Sequence, residues 1–391
     1  MARPPTIWQL PDWPNLHFDI ASASPALLRA RERQGQVLGM ARAIGLGEMQ
    51  SIERDVWTNE ALATAAIEGE KLELAAVRSS VLRHLGQADP GPSSRHVDGL
   101  VEIMQDASAG FEQPLDADRL CRWQSALFPG GTAGIRRIAV GRFRDHEDPM
   151  QIVSGLPGKE VVHYTAPPSS SVPREMDAFL AWFAATTPRQ GTPLALDGIA
   201  RAAIAHLWFE TIHPFEDGNG RIGRAVADMA LAQDLGAPTR LYSLSRHLLA
   251  DRRGYYDALE AAQSGGVDVT GFVQWFADAF GQACTRSMDL IQDTVDKSRF
   301  WAAHAEHALN ERQRRLIRRL LDAGDGGFLG GLNVDKYLKM GKTSKATATR
   351  DLAKLVQFGM LHTSGQGKAL RYYLSVPSWT HGRTECAKDV G

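Results

Sequence analysis

The chain has 391 residues, an apolar fraction of 43% and a formal net charge of -1. This length predicts roughly two to three domains, and the apolar fraction is sufficient for a core in each. A near-neutral total gives no overall signal for nucleic acid or membrane, although it can conceal local asymmetry. The three cysteines lie far apart, which argues against a disulfide framework. Because the N-terminus has no uninterrupted apolar segment, we expect a soluble, cytoplasmic protein without a membrane partner.

The N-terminal part begins as an irregular or strand-like cap around Trp8 and Trp13 and continues as helices. Long runs rich in Ala, Leu, Arg and Glu extend from about Pro25 to Leu85. A stretch rich in Pro, Gly and Ser, residues 87–96, then predicts a linker. The chain is therefore expected to be mainly α, with an N-terminal helical domain at 1–95, a central core at 96–300 and a final domain at 301–391.

The middle of the chain contains one clear β signal, between Gly134 and Pro168. The segments RRIAVGRFR and MQIVSG, and then EVVHYTAPP, alternate apolar and polar residues on either side of a turn at Gly155 to Gly158. Alternation of this kind is typical of strands, and glycine with proline between them favours a turn. We predict a small hairpin here, followed by helices from about Val172 to Arg299.

The segment HPFEDGNGRIGR, His213 to Arg224, concentrates an imidazole, acids, glycines and guanidinium groups. Its GNGRIG core fits the dinucleotide-binding pattern, but the apolar residues before it recur at helical spacing, which excludes a Rossmann fingerprint. An EF-hand loop would need an oxygen ligand at Arg221 and a glycine at Ile222, so a calcium loop is excluded as well. The remaining interpretation is a helix, a tight turn and the N-terminus of a second helix.

This turn has the composition of a phosphate-binding site. Gly218, Asn219 and Gly220 allow backbone N–H groups to converge with little obstruction, and the following helix adds its positive end. Arg221 and Arg224 are three residues apart on that helix, so they share a face and can neutralise successive phosphates.

Two further residues supply chemistry beside the phosphates. Asp217 offers a hard oxygen ligand for Mg²⁺, and His213, four residues earlier, can accept a proton near neutral pH. The segment matches every fixed position of H-P-F-x-(D/E)-G-N-G-R-x-x-R, with Glu216 at the free position, and so closely resembles the Fic family. The resemblance implies a mainly helical Fic core that transfers AMP from ATP to a Ser, Thr or Tyr hydroxyl of a protein.

The resemblance also implies residue roles. His213 resembles the general base that activates the target hydroxyl, and Asp217 resembles the ligand of Mg²⁺. Tyr256 resembles an aromatic residue near the adenine, on which its ring can stack. The nucleotide-binding residues implied in this way are Gly218, Asn219, Gly220, Arg221, Arg224 and Tyr256.

The predicted hairpin, which we place at Gln151 to His163, resembles the flap of Fic proteins. An extended segment of a target protein can add to the edge of such a flap through main-chain hydrogen bonds. The target would then present its hydroxyl to the base with little demand on its sequence.

Residues Thr64 to Gly69, TAAIEG, fit (S/T)-x-x-x-E-(G/N), the inhibitory motif of Fic proteins. Their position before the core resembles the class II arrangement, and Glu68 is then the inhibitory acid. A carboxylate paired with Arg224 takes the donor meant for the γ phosphate, so we expect an autoinhibited enzyme. In some relatives the same acid orients a water that removes AMP, so the reverse reaction stays open.

The C-terminal region has a different charge balance. From Asn310 to Ser375 there are 13 Lys and Arg residues against 5 Asp and Glu residues. The pattern of three helices and a β wing resembles a winged helix-turn-helix, which binds DNA or serves dimerisation and protein docking. Its candidate DNA-contacting residues are Lys345, Thr347, Thr349, Arg350, Lys368 and Arg371.

Three classes of function therefore compete. The first is a protein AMP transferase that uses ATP and Mg²⁺. The second is a DNA-binding transcriptional regulator in which the Fic core acts as a sensor. The third is a Fic enzyme that transfers another nucleotide or a phosphocholine group. A homodimer is compatible with each of them.

Overall fold

The computed structural model describes residues 5–87, 91–92, 94–154, 161–188, 196–237, 241–324, 328, 330–341 and 343–379. The predicted mainly α class is confirmed, because the described β structure consists of short antiparallel strand pairs. No helix in these ranges is long and apolar enough to cross a bilayer. The chain divides into two compact units, Met1–Ala43 with Met49–Met288, and Ile44–Glu48 with Asp289–Gly391.

The first unit is helical over most of its length. A short 3₁₀ helix at Ile7–Gln9 stands where the sequence predicts an irregular or strand-like cap. The helices that follow are α1 (Ile20–Arg42), α2 (Leu46–Ile67), α3 (Leu74–His84), α4 (Arg95–Ala109), α5 (Ala117–Leu127), α6 (Val172–Ala185), α7 (Gly198–Ile212), α8 (Asn219–Leu235), α9 (Leu244–Ala250), α10 (Arg252–Gln263) and α11 (Thr270–Ala303). Residues 46–48 of α2 and 289–303 of α11 belong to the second unit.

Helix α7 is the centre of this unit. Every residue from Gly198 to Ile212 is buried, and the helix packs along α8. The Asp197 carboxylate caps its first turn by accepting hydrogen bonds from the N–H groups of Ile199 and Ala200. Because α8 also contacts α4 and α5, the segment between α7 and α8 is held by a packed core on several sides.

The strands of the first unit are short. Strands β1 (Thr132–Ala133) and β2 (Arg136–Arg137) form one pair, and β3 (Gln151–Ser154) and β4 (Val161–Thr165) form the predicted hairpin. Residues 155–160 of the predicted flap lie outside the described residues. The expected strand over RRIAVGRFR is wrong beyond β2, because its backbone bonds elsewhere: Gly141 N–H donates to Gln124 and Arg144 N–H to Pro214.

The second unit contains the predicted order of three helices and a hairpin. These are α12 (Glu311–Ala323), α13 (Val334–Gly341), α14 (Lys345–Gln357) and the antiparallel pair β5 (Leu361–Ser364) and β6 (Arg371–Leu374). Their apolar faces share a core that includes Leu316, Tyr337, Leu352 and Leu374.

Candidate active site

A tight bend joins α7 to α8 and carries His213. His213 has φ 52° and ψ 59°, and it is the one non-glycine residue with positive φ in the described part of the chain. The Asn219 side chain holds the bend by accepting from Phe215 N–H at 2.9 Å and donating to Phe215 O at 2.7 Å. Gly218, with φ 91°, supplies the left-handed N-cap of α8. The bend is therefore fixed by backbone conformation and by side-chain hydrogen bonds.

A cavity of about 590 Å³ opens at this bend. Seven of the sequence-predicted site residues line it: Glu68, His213, Asp217, Gly218, Asn219, Gly220 and Tyr256. Its remaining wall comes from the β3–β4 hairpin, from α10, from Glu210 at the end of α7 and from Glu216 of the bend; the hairpin contributes Gln151, Ile152, Val153, His163 and Tyr164. The bend, the hairpin and the TAAIEG segment, which are far apart in sequence, thus meet around one space.

The end of α2 explains why glycine follows glutamate in TAAIEG. Gly69 has φ 81°, and the N–H groups of Gly69 and Glu70 donate back to Ala66 O and Ala65 O. This is the Schellman arrangement, in which a left-handed residue closes a helix. Glu68, immediately before that glycine, is directed by it toward α8.

Glu68 forms an ion pair with Arg224. Its Oε1 lies 2.8 Å from Arg224 Nη2, and the same guanidinium donates to Thr64 Oγ1 at 2.8 Å and to Thr64 O at 2.9 Å. Arg224 is 2% exposed, so each of these bonds is shielded from water. The first and fifth positions of the TAAIEG motif therefore engage one arginine of the HPFEDGNGRIGR segment.

A second acid, Glu70, engages the other arginine of the segment. Glu70 Oε2 lies 3.2 Å from Arg221 Nη1, and Glu70 Oε1 accepts from His96 Nε2. Arg221 also lies 3.2 Å from Asp217 Oδ1. The hydrogen bond from Glu70 raises the pKa of His96. Sequence reasoning missed Glu70, although its place two residues after Glu68 in IEGE was an available signal.

His213 has a buried environment with charges on several sides. Its Nδ1 lies 3.8 Å from Glu210 Oε2, and its side chain is 13% exposed. Burial and the nearby Arg144 lower the pKa of His213 to about 4, so the imidazole is neutral at neutral pH. Burial also raises the pKa of Glu210 to about 8. Neither Arg144 nor Glu210 was singled out from the sequence; a carboxyl three residues before His213 on an apolar helix was the available signal for Glu210.

Asp217 fits the part of a single protein ligand for Mg²⁺. Its side chain is 37% exposed and it lines the cavity beside the N-terminus of α8. The described residues contain no group of three or more His, Cys, Asp or Glu side chains that would hold a metal unaided. Mg²⁺ at nucleotide sites is commonly bound through one or two carboxylates together with substrate phosphates, which is compatible with this arrangement.

The two neighbouring tyrosines of α10 have different environments. Tyr255 is 1% exposed and its Oη lies 3.0 Å from His206 Nε2, so both are core residues. Tyr256 is 37% exposed, lines the cavity, and donates to Ile67 O at 3.3 Å. Both tyrosines border the cavity, but the greater exposure of Tyr256 makes its ring the more accessible to a ligand.

Two family comparisons cover different parts of the chain. Residues 114–231 match the Fic/DOC family, and residues 6–87 match a domain family of unknown function, DUF4172. The first range extends from the segment before α5 to α8 and includes the bend. The second includes α1 and α2, with the TAAIEG segment.

The chain is also similar to curated relatives and to solved structures. The chain is 26% identical to protein adenylyltransferase fic-1 of Caenorhabditis elegans over 234 residues, 60% of this chain and 41% of that protein. It is 38% identical to protein adenylyltransferase Fic of Aedes aegypti over 90 residues, 23% of this chain and 15% of that protein. A Fic family protein from Desulfovibrio desulfuricans G20 aligns with a TM-score of 0.47 and 21% identity, covering 91% of this chain and 98% of that one.

The chain thus spans less than half the length of the curated relatives it matches. The domain assignment depends on the family match, which contains the complete HPFEDGNGRIGR segment between α7 and α8. This chain therefore carries a Fic/DOC family domain at residues 114–231.

Proposed function

We propose that this chain is a protein adenylyltransferase, which transfers AMP from ATP to a Ser, Thr or Tyr hydroxyl of a target protein and of itself. The observation that carries the proposal is the bend at His213, where a neutral imidazole and the N-terminus of α8 face one cavity. The curated relatives named protein adenylyltransferase support the same activity.

The N-terminus of α8 binds the phosphates. Backbone N–H groups at Gly218 to Gly220 and the helix dipole attract an anion there, and Asn219 keeps the bend in shape through Phe215. Asp217 would hold Mg²⁺, which neutralises phosphate charge when bound. Arg224, once released from Glu68, neutralises the terminal phosphates, and Tyr256 stacks on the adenine.

His213 then acts as the general base. Its Nδ1 lies toward Glu210 inside the core, so Nε2 takes the proton of the target hydroxyl. The hydroxyl oxygen forms a bond to the α phosphorus, the bond from that phosphorus to the oxygen bridging to the β phosphate breaks, and pyrophosphate leaves. An extended target segment pairs with an open edge of the two-stranded β3–β4 sheet.

The resting enzyme is autoinhibited by Glu68. While Glu68 holds Arg224 at 2.8 Å, the arginine is withheld from the terminal phosphates and a negative charge lines the phosphate cavity. ATP then binds in a mode that does not support transfer. Glu70 reinforces this state, because it holds Arg221 from the same short segment.

Intact mass measurement with ATP and Mg²⁺ tests both the activity and its inhibition. The Glu68→Gly chain gains one or more AMP units, the wild-type chain gains far fewer, and Glu68→Gly with His213→Ala gains none while still binding ATP. If Glu68→Gly gains no adduct from ATP but gains one from another nucleotide or from a phosphocholine donor, the chain belongs to the third class of function.

A second candidate function is DNA binding by the second unit. Lys345, Thr349 and Arg350 are exposed on α14, and Lys368 is exposed next to β6. An exposed basic helix with an adjacent hairpin fits the major groove and flanking phosphates. The full chain should then bind duplex DNA with a strong salt dependence, which Lys345→Ala with Arg350→Ala weakens. Salt-independent or absent binding contradicts this candidate.

A further inference from the structure

A buried arginine lies directly behind the bend that carries His213. Arg144 is 2% exposed, and the acceptors of its guanidinium among the described residues are uncharged. These are His213 O at 2.8 Å, Ile212 O at 3.1 Å, Pro167 O at 2.6 Å and Ser169 Oγ at 2.9 Å.

This arrangement is costly for a charged group. A buried guanidinium normally has an anionic partner, because carbonyl and hydroxyl oxygens only partly replace its hydration. Burial lowers the pKa of Arg144 to about 10, so the group remains positively charged at neutral pH. Within the described part of the chain, Arg144 forms no ion pair with a carboxylate. A charge kept under these conditions, next to a candidate base, points to a role in the site.

The hydrogen bonds from Arg144 to the carbonyls of Ile212 and His213 fix the backbone around His213. The carbonyls of Ile212 and His213 lie at the end of α7, where no helical N–H group is left to satisfy them. Arg144 supplies both missing donors, and its own N–H donates to Pro214 O at 2.9 Å. His213 holds a left-handed conformation that is unfavourable for a residue with a side chain, so these bonds stabilise it.

The other two hydrogen bonds of Arg144, to Pro167 and Ser169, reach the base of the β3–β4 hairpin. Pro167 and Ser169 follow β4, and Ala166 N–H donates to Met150 O just outside the strands. A single guanidinium therefore joins the bend to the hairpin, the two elements that must bring base and target hydroxyl together.

The charge of Arg144 also acts on the imidazole. The groups that act on His213 are the charged Arg144, the charged Glu68 after α2, and Glu210 on α7, whose raised pKa of about 8 leaves its carboxyl uncharged at neutral pH. Burial and the positive charge of Arg144 lower the pKa of His213, and Glu68 opposes this. Without Arg144, the imidazolium form would gain stability relative to the neutral form.

We propose that Arg144 is a positioning residue for AMP transfer, which fixes the His213 bend to the hairpin base and keeps the imidazole in the form that accepts a proton. The inference rests on the proposed function. Arg144 is buried and donates to the carbonyls of His213 and Ile212 behind the bend, so it acts through His213 and not on ATP.

The test uses the Glu68→Gly chain as parent, with Arg144→Lys and Arg144→Met. Arg201 is the matched control, because it is also a buried arginine, on α7, that donates to uncharged acceptors including Phe183 O and Gln233 Oε1. Arg144→Lys keeps the charge but cannot reach all four acceptors, so kcat falls about 10- to 100-fold while KM for ATP is unchanged. In Arg144→Met, the fall in activity at acid pH also begins at a higher pH.

Arg201→Lys and Arg201→Met lose stability but keep the kcat and pH profile of the parent. A parent-like kcat in Arg144→Lys, or an unmoved acid limb in Arg144→Met, overturns the inference. If Arg144→Met does not fold by circular dichroism, the kcat of Arg144→Lys decides.

NMR titration of the His213 imidazole is a readout that does not need activity. Its pKa rises in Arg144→Met and not in Arg201→Met, and an equal response in both variants overturns the inference. A parent chain that acquires no AMP while this NMR difference is present contradicts the proposed function alone.

Discussion

Neutralising Glu70 should activate the wild-type enzyme. In the resting state Glu70 Oε2 lies 3.2 Å from Arg221 Nη1, with the two side chains 32% and 6% exposed, and its other oxygen accepts from His96. Glu70→Gln keeps the size and polar character of the side chain but removes its charge. The substitution should therefore weaken the hold of the inhibitory segment without disturbing the helices on either side.

The size of this activation follows from the partial burial of the two pairs that Glu70 forms, one with Arg221 and one with His96. Ion pairs at exposed positions contribute up to about 1 kcal/mol each, and these two are better shielded, so Glu70→Gln should remove about 1–2 kcal/mol from the inhibited state. A change of this size alters an equilibrium by roughly 5- to 30-fold. The initial rate of auto-AMPylation should rise by up to that factor and remain below the rate of Glu68→Gly, in which the ion pair with Arg224 is absent.

Rates of AMP incorporation by intact mass, in five chains, provide the assay. Glu70→Gln is made in the wild-type and in the Glu68→Gly background, where the inhibitory contact is already absent and little further gain is expected. Glu73→Gln is the matched control, because it removes the same charge from an exposed residue of the same segment. A loss of activity for Glu70→Gln in the Glu68→Gly background, with no gain in the wild-type background, would refute the reasoning and identify Glu70 as a support for Arg221.

Three further predictions concern pH and packing. Since burial and Arg144 lower the pKa of His213 to about 4, the transfer rate of Glu68→Gly should remain high down to about pH 5; a midpoint near 6.5 would contradict a buried base. Glu70 raises the pKa of His96, so the pair stabilises the fold fully below the unfolded value of about 6.5 and loses this effect as pH rises through the folded value. His96→Gln should therefore lower the free energy of unfolding in urea more at pH 6 than at pH 9, and equal losses would argue against the pair. A Cβ at Gly99 on α4 would overlap Ala126 O, so Gly99→Ala should destabilise by about 1–3 kcal/mol, whereas exposed Gly35 on α1 has open space and Gly35→Ala should stabilise by about 0.5–1 kcal/mol.

The sequence was sufficient to predict those elements that depend on residues close together in the chain. Helix α7 could be predicted because its apolar residues recur at helical spacing within one continuous stretch. The bend after it could be predicted because Gly218, Asn219 and Gly220 favour a left-handed entry into a new helix. The β3–β4 hairpin followed from its alternation.

Contacts between distant segments were not accessible in the same way. Glu68 and Arg224 are 156 residues apart, and only the resemblance to an inhibitory motif connected them. Arg144 belongs to RRIAVGRFR, whose alternation predicted a strand, and an arginine is ordinarily expected at the surface. Its burial is partly compensated by hydrogen bonds to carbonyl oxygens. Because every residue has a carbonyl oxygen, the sequence does not show which ones the arginine contacts. Beyond β2, the backbone of that segment bonds to the bend and to Gln124 instead of to a neighbouring strand.

The proposed inhibitory acids belong to one short turn, which has a consequence for how the proposed inhibition would be relieved. Glu68 and Glu70 flank Gly69 within one Schellman turn, so a movement of this backbone that carries one carboxylate away from its arginine also moves the other. Displacing Glu68 from Arg224 by a phosphate therefore also strains the contact of Glu70 with Arg221. The two substitutions should be non-additive, because the first to release the turn removes most of the benefit of the second. Partial activation by Glu70→Gln and nearly full activation by Glu68→Gly then have the same cause, which is the release of this turn from the two arginines.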